Sequence, residues 1–207
     1  MMRRLSLAIL TSVLLVAACN SVKKPSNANF TKAINQYLQV HGQACTWIGQ
    51  AFPVDISDLL LKPNFGIGSK MAVLEQAGLL QSKDTVVTVP EIFGPSIQRR
   101  VKRYQPTAAG RQYLQQNRTP LGQSAGFCYA TKTVDSIVNW TEPTTIGPTT
   151  QTEVTYTYKI SSLAPWAKRT DIQNQFDDIR ATIAGISKTD ELAGLQLTNQ
   201  GWEVPAR

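Results

Sequence analysis

The stretch Thr152–Ile160 reads TEVTYTYKI and decides the fold class. Its apolar positions, Val154, Tyr156, Tyr158 and Ile160, alternate with polar positions and are β-branched or aromatic. Period-two alternation of this kind predicts a strand with one buried face. A strand with one apolar and one polar face is typical of an antiparallel sheet that buries one side.

A second strand and a helix flank this stretch. Val134–Trp140 also has one apolar face, and the turn-rich segment Glu142–Pro148 joins it to the first strand, so we expect antiparallel pairing. Downstream, Thr170 and Gln173 form a capping box. Four apolar residues then recur at helical spacing: Ile172, Phe176, Ile179 and Ile183. The segment 127–207 is therefore predicted to be antiparallel sheet that carries one amphipathic helix.

The first half of the chain is predicted to be largely helical. Phe30–Ile48 has apolar residues at spacings of three and four, which predicts an amphipathic helix. Further along, Thr85–Val89 and Ile97–Gln105 read as strands joined by a turn-rich tip. Gln115–Gly126 has the composition of a linker. The fold class is therefore α+β, with a helical part at 30–116 packed with the C-terminal antiparallel sheet.

Two short motifs lie within the helical part at 30–116. Leu74–Leu80 reads LEQAGLL and Tyr104–Arg111 reads YQPTAAGR, and both resemble patterns of winged-helix proteins, L-x-x-x-G-L-[LI] and Y-x-[LP]-T-x-x-G. The resemblance covers residues 56–116 and implies that the strand–tip–strand segment is a wing. It implies shape alone, since function depends on the site that a fold carries.

The N-terminus has the pattern of an export signal. Arg3 and Arg4 precede the apolar run Leu5–Ala18, which is too short to cross a bilayer because a span needs roughly 20 apolar residues. The run ends in Val16-Ala17-Ala18-Cys19, which resembles the lipobox of bacterial lipoproteins.

The lipobox resemblance implies where the protein resides. A signal peptide at 1–18 would be removed, and Cys19 would carry diacylglycerol through a thioether and a fatty acid on its amino group. The absence of Asp at position 20 resembles lipoproteins sorted to the outer membrane. The polar segment 19–29 is then a lipidated tether. We expect a lipid-anchored protein of the cell envelope, at the outer membrane and facing the periplasm.

The remaining cysteines are expected to pair. Lipid would occupy Cys19, and the oxidising periplasm predicts a disulfide between Cys45 and Cys128. Such a bridge closes a loop of roughly 80 residues and stabilises the fold by a few kcal/mol. The alternative is a nucleophilic dyad of Cys45 and His41, which lie four residues apart on the predicted helix. Oxidising surroundings disfavour the dyad.

Composition and charge narrow the partners. The chain has 207 residues, of which 42% are hydrophobic, which excludes a disordered chain and a multi-span membrane protein. Its formal charge of +7 falls by two when Arg3 and Arg4 leave with the signal peptide, and a basic excess suits anionic partners. The densest basic cluster comprises Arg99, Arg100, Lys102 and Arg103.

This cluster has two interpretations. It is either a charged edge strand that resists pairing with other chains, or a contact surface for anionic lipid or another anionic envelope polymer. Specific nucleic-acid binding is not expected, because an exported protein does not meet the chromosome.

The residue types that catalysis needs are sparse. The one histidine is His41, and Asp177 and Asp178 are adjacent on a predicted helix, so their side chains diverge. The four tryptophans are predicted to be core residues rather than a glycan groove: Trp47, Trp140, Trp166 and Trp202. We predict a non-catalytic binding or structural lipoprotein without metal or cofactor, whose partner is an envelope protein or an anionic lipid or polymer. The alternative is an envelope enzyme that cleaves glycan or peptide with carboxylates.

The whole chain also resembles an uncharacterised group of small proteobacterial lipoproteins. Four segments carry this resemblance: Phe127–Ala130, Val154–Tyr158, Ala164–Ala167 and Leu197–Trp202. It supports the envelope location and the architecture, and it implies no activity.

Overall fold

The computed structural model describes residues 22–61, 66–91, 94–119 and 122–205. Within it the chain forms two compact units that alternate along the sequence. The terminal unit joins the chain up to Gly42 with Lys132–Ser161 and with the chain from Gly185 onward. The central unit joins Gln43–Thr131 with Ser162–Ala184. The sequence-based division at 30–116 and 127–207 followed chain order, whereas these units interleave.

The terminal unit is a helix packed on an antiparallel sheet. Helix α1 (Asn27–His41) begins where the Ser26 side chain accepts a hydrogen bond from the Asn29 amide, and it buries residues at helical spacing: Phe30, Ala33, Ile34 and Leu38. Its strands are β6 (Gly122–Trp140), β7 (Thr144–Ile146), β8 (Thr149–Ser161), β9 (Asp190–Thr198) and β10 (Gly201–Glu203). The sheet order is β6-β8-β9-β10, with the short β7 beside β8.

The strand that decided the fold class is confirmed. In β8, the apolar residues Val154, Tyr156 and Tyr158 are buried, while Glu153 and Lys159 are exposed. The buried side of β8 packs with helix α1 and with Leu195 of β9 into one apolar core. The mixed class of helices and antiparallel sheet therefore holds.

The central unit contains two groups of strands. In the first, β1 (Gln43–Trp47) and β5 (Leu114–Thr119) both pair with the initial part of β6. In the second, a three-stranded sheet has the order β2-β4-β3, formed by Val54–Ser57, Ile97–Pro106 and Leu80–Val89. Between β2 and β3 in sequence lie helices α2 (Asp58–Leu61) and α3 (Ile67–Gln76), and helix α4 (Ala108–Arg111) follows β4.

Two predictions for the N-terminal part, a helix and a tether, are wrong in their bounds. The helix predicted at 30–48 ends at His41, because Gly42 stops it and the chain continues as β1. A Cβ atom at position 42 would lie 2.4 Å from the Leu38 carbonyl oxygen, so the helix cap accepts glycine only. The predicted tether 19–29 also ends early, because α1 begins at Asn27.

The predicted helix at 170–183 is divided and lies in the central unit. Helices α5 (Thr170–Gln175) and α6 (Asp177–Ala184) are separated by Phe176, whose backbone is extended. Ile172, Phe176 and Ile179 are nevertheless buried, as their spacing predicts. Thr170 lies inside α5 rather than capping it.

The predicted linker at 115–126 is instead a hairpin of β5 and β6, with residues 120–121 outside the described part. Among the residues that the structure describes, no helix has the length and apolar character needed to cross a bilayer.

Candidate functional site

The basic cluster lies on the hairpin formed by β3 and β4. The β2 strand pairs with Val101–Tyr104, so this part of β4 is the middle strand of a three-stranded sheet. We define the proximal hairpin as Val101–Pro106 of β4 together with the opposite residues of β3, Leu80–Thr85. Farther out, Ile97–Arg100 pairs with Val86–Val89 alone, and we call this two-stranded part the distal hairpin. The edge-strand interpretation is therefore wrong for Lys102 and Arg103, which lie on the central strand, whereas Arg99 and Arg100 lie on a part of β4 that is paired on one side, with β3.

Two of the four basic residues are held by carboxylates in the proximal hairpin. Arg103 donates two hydrogen bonds to Asp55, each with a donor–acceptor distance of 2.7 Å. The Arg103 hydrogen bond lowers the pKa of Asp55 below its usual value, and desolvation opposes it only in part. The Lys102 Nζ atom lies 3.3 Å from a carboxylate oxygen of Glu75 and 5.6 Å from the centre of the Tyr104 ring. Both cations therefore have carboxylate partners within the central unit.

The other two, Arg99 and Arg100, lie on the distal hairpin and are exposed. None of the ion pairs found in the described ranges involves either residue. Arg99 lies opposite Val87 and Arg100 opposite Val86, so the two guanidinium groups extend from opposite faces of the hairpin. Val86 and Ile97 are 53% and 40% exposed beside them. The distal hairpin thus presents free cations and aliphatic side chains together.

The two motifs that resemble winged-helix proteins meet at a packing junction. The Thr107 hydroxyl donates to the Gly78 carbonyl oxygen at 2.7 Å, and the Gly110 amide donates to the Thr107 hydroxyl at 3.0 Å. A Cβ atom at Gly110 would lie 2.0 Å from the Leu79 carbonyl oxygen. The spacing of these residues is therefore explained by close backbone approach between two segments.

The cysteines lie on neighbouring strands. Cys45 of β1 is in register with Cys128 of β6, and the structure joins them in a disulfide across 83 residues of chain. Cys45 therefore offers no thiolate, and the dyad with His41 is not formed. His41 ends α1, where its ring stacks on Tyr37 with the centroids 4.4 Å apart.

A cleft of about 670 Å³ opens in the terminal unit. Its lining includes Tyr37, Thr152, Tyr156 and Gln196, and among the described lining residues the one carboxylate is Glu153. The paired carboxylates that glycoside cleavage uses are therefore not brought together at this cleft.

A charged cluster lies beside Tyr156. The Tyr156 hydroxyl donates to Glu191 at 2.9 Å, and Lys132 forms an ion pair with the same carboxylate. Burial raises the pKa of Tyr156 far above its usual value, and the negative charge of Glu191 raises it further. Tyr156 therefore stays protonated as a hydrogen-bond donor. In the described part of the chain, no three His, Cys, Asp or Glu side chains come together as a metal site.

The tryptophans divide between core and surface. Trp166 and Trp202 are buried, as predicted, whereas Trp47 is 44% exposed on β1. Trp140 is partly buried, and its ring meets Phe30 edge to face with the centroids 5.4 Å apart. The four rings do not form one aromatic groove within either unit, because Trp140 and Trp202 belong to the terminal unit and the others to the central unit.

Cys19 lies outside the described residues, so its predicted lipidation stays a prediction. The chain matches no protein-family model, no curated protein and no solved structure. The function must therefore be argued from the residues described above.

Proposed function

We propose that this protein is a lipid-anchored, non-catalytic binding protein of the bacterial cell envelope, which contacts an anionic partner through Arg99 and Arg100. The observation that carries the proposal is the division of the basic cluster. Two cations are paired with carboxylates of the same unit, and the adjacent two are exposed and form no ion pair with any residue that the structure describes. Exposed cations without carboxylate partners favour phosphate-bearing or carboxylate-bearing polymers and lipids.

The anchor in this proposal is Cys19. Support comes from the order of features at the N-terminus, in which two arginines, an apolar run and small residues precede a cysteine. Two or more acyl chains suffice for stable membrane anchoring. The proposed location is the outer membrane, facing the periplasm.

The winged-helix resemblance supports the choice of the distal hairpin. The central unit has β2, α2, α3, β3 and β4 in this order along the chain, and its sheet order is β2-β4-β3. In this comparison the distal hairpin corresponds to the wing, an element that extends from the sheet and is available to a partner.

The polar side chains of α3, the helix that precedes the hairpin, argue against sequence-specific binding of DNA. Lys70 lies over the Phe176 ring, with Nζ 5.3 Å from the ring centre. Glu75 pairs with Lys102 and accepts a hydrogen bond from Ser82. Specific readout needs side chains that reach base edges, and these side chains are engaged within the unit.

A charge-reversal pair tests the anionic partner. The mature chain carrying Cys19→Ser would be titrated with polyphosphate and, separately, with phosphatidylglycerol vesicles, which distinguishes a soluble polyanion from a lipid surface. The double variant Arg99→Glu/Arg100→Glu should bind less tightly than the parent. Each lost cation near an anionic surface is worth about 1 kcal/mol, so the loss should reach about thirtyfold or more.

The matched control is Lys159→Glu/Lys188→Glu, which makes the same change in net charge at exposed positions of the terminal unit. Equal losses in the two variants would reduce the effect to net charge and contradict the proposal. For the anchor, metabolic labelling with a fatty acid should mark the parent chain and not Cys19→Ser. Continued labelling of that variant would contradict lipidation at Cys19.

A further inference from the structure

The residues that follow the proposed anchor are fixed to the terminal unit. We call Val22–Ser26 the mooring segment. The Trp202 indole nitrogen donates to the Lys23 carbonyl oxygen at 3.1 Å, and the Asn29 side-chain amide donates to the Lys24 carbonyl oxygen at 2.9 Å. Consecutive carbonyl groups are thus held by two different elements, the last strand and helix α1.

The groups that hold the mooring segment belong to the core. Trp202 is buried and pairs through its backbone with Leu197 of β9. The Phe30 ring meets the rings of Trp202 and Trp140 edge to face, with centroid distances of 5.3 and 5.4 Å. The preceding residue, Gly201, has a φ of +119°, and a Cβ atom there would lie 3.1 Å from the Val22 carbonyl oxygen. The mooring segment therefore moves with the folded unit.

The chain between the anchor and the mooring segment is short. Only Asn20 and Ser21 separate Cys19 from Val22. Three residue steps of extended chain reach about 10–11 Å, so Val22 cannot be farther than this from Cys19. The sequence predicts a tether of eleven residues at 19–29. From Val22 onward, however, these residues belong to the folded unit.

The surface at this position carries the charge that suits a lipid headgroup layer. Lys23 and Lys24 are exposed, and Lys32 of α1 is exposed nearby, in a small polar depression that Val22 also lines. The acidic residue of that depression is Glu203, which accepts a hydrogen bond from Thr198. Positive charge is therefore in excess, and juxtamembrane lysines are attracted to anionic lipids.

We propose that the mooring segment holds the terminal unit directly against the bilayer, with Lys23 and Lys24 contacting anionic phospholipid headgroups. The inference rests on the proposed acylation of Cys19. In place of free movement on a long tether, the terminal unit has a fixed orientation relative to the bilayer. The end of the β8–β9 pair at Thr150 and Leu197 faces the membrane, while the end at Thr157 and Asp190 is remote from it.

The test uses the full acylated chain, isotope-labelled and reconstituted into nanodiscs that contain phosphatidylglycerol and a lipid with a paramagnetic headgroup. Paramagnetic broadening of amide signals should be strong for residues of the mooring segment and the start of α1. It should be several-fold weaker for Lys159 and Lys188, which lie at the other end of the same unit.

Two variants and one control sharpen the measurement. About ten Gly and Ser residues inserted between Ser21 and Val22 keep the lipobox, and such a flexible insert spans roughly 15–20 Å, so the difference in broadening should disappear. Lys23→Glu/Lys24→Glu should reduce it in anionic discs, whereas Lys159→Glu/Lys188→Glu should leave it unchanged. A parent chain that carries fatty acid but shows uniform, weak broadening would overturn the mooring and leave the anchor standing. A parent chain without fatty acid would overturn both.

Discussion

The proximal and distal hairpins are consecutive parts of the same two strands, yet their basic residues have different surroundings. In the proximal part, a third strand pairs alongside, and Arg103 and Lys102 find Asp55 and Glu75. In the distal part the hairpin has only two strands, and Arg99 and Arg100 remain exposed. A run of like charges is therefore not one site, because the pairing of its strand decides which cations remain available to a partner.

The largest expected effect is on stability and should distinguish the two parts. Tyr104 is fully buried in the proximal hairpin, whereas Val86 in the distal hairpin is 53% exposed. Tyr104→Ala should lower the free energy of unfolding by about 3–5 kcal/mol, as large-to-small changes in a core do. Val86→Ala should change it by about 0.5 kcal/mol or less. Urea unfolding followed by circular dichroism measures both, and similar losses would show that the distal hairpin is also core.

The next effect concerns the disulfide, which belongs to the same unit as the hairpin and joins β1 to β6. Replacing Cys45 and Cys128 together by Ser should lower the free energy of unfolding by about 2–4 kcal/mol, because the open chain has more unfolded conformations. Polyphosphate affinity of the folded protein should be unchanged, since the basic surface is intact. Free thiols in the parent protein, purified without reductant after export to the periplasm of an expression host, would contradict the bridge.

Single alanine variants compare the two parts directly. Arg100→Ala should weaken polyphosphate binding by about fivefold, the equivalent of about 1 kcal/mol, and leave the urea midpoint unchanged. Arg103→Ala should have the reverse pattern, with a lowered midpoint and nearly unchanged affinity, because its guanidinium is bound to Asp55. If Arg103→Ala weakened binding as much as Arg100→Ala, the division of the cluster would be wrong.

The smallest effect should be seen in the pH dependence of Asp55. Its pKa is lowered in the folded state, so its contribution to stability is present above the unfolded pKa of about 3.9 and is lost as the pH falls through the lower folded value. Asp55→Asn should therefore lower the urea midpoint slightly at neutral pH, and the difference from the parent should vanish in strong acid. The pair is largely solvent-accessible, which keeps the effect small. If the two urea midpoints still differed in strong acid, the effect of the substitution would come from packing rather than from the charge of Asp55.

Hydrophobic periodicity predicted one strand and the buried face of one helical segment correctly. The alternation of β8 and the burial of Ile172, Phe176 and Ile179 follow from side-chain periodicity. The register that places Cys45 opposite Cys128 does not follow from periodicity, although the cysteine count and the expected oxidising compartment predict the pair.

The errors occur where long-range pairing overrides local composition. Gln115–Thr119 is polar on both faces and reads as linker, but β6 supplies its backbone partners. The chain after Gly42 reads as helix because its apolar spacing fits, and pairing with β6 turns it into strand β1. The basic cluster was visible, but Asp55 lies 48 residues from Arg103 in sequence, so no local pattern could show which cations are neutralised.

The central claim is that an anionic partner binds the distal hairpin and not the proximal one. Amide chemical shifts of the mature chain, followed during titration with polyphosphate, test this claim most directly. The account predicts saturable shifts across Val86–Val89 and Ile97–Arg100, with little change across Val101–Pro106. Shifts that are absent, or that centre on Val101–Pro106 or on another surface, would contradict it.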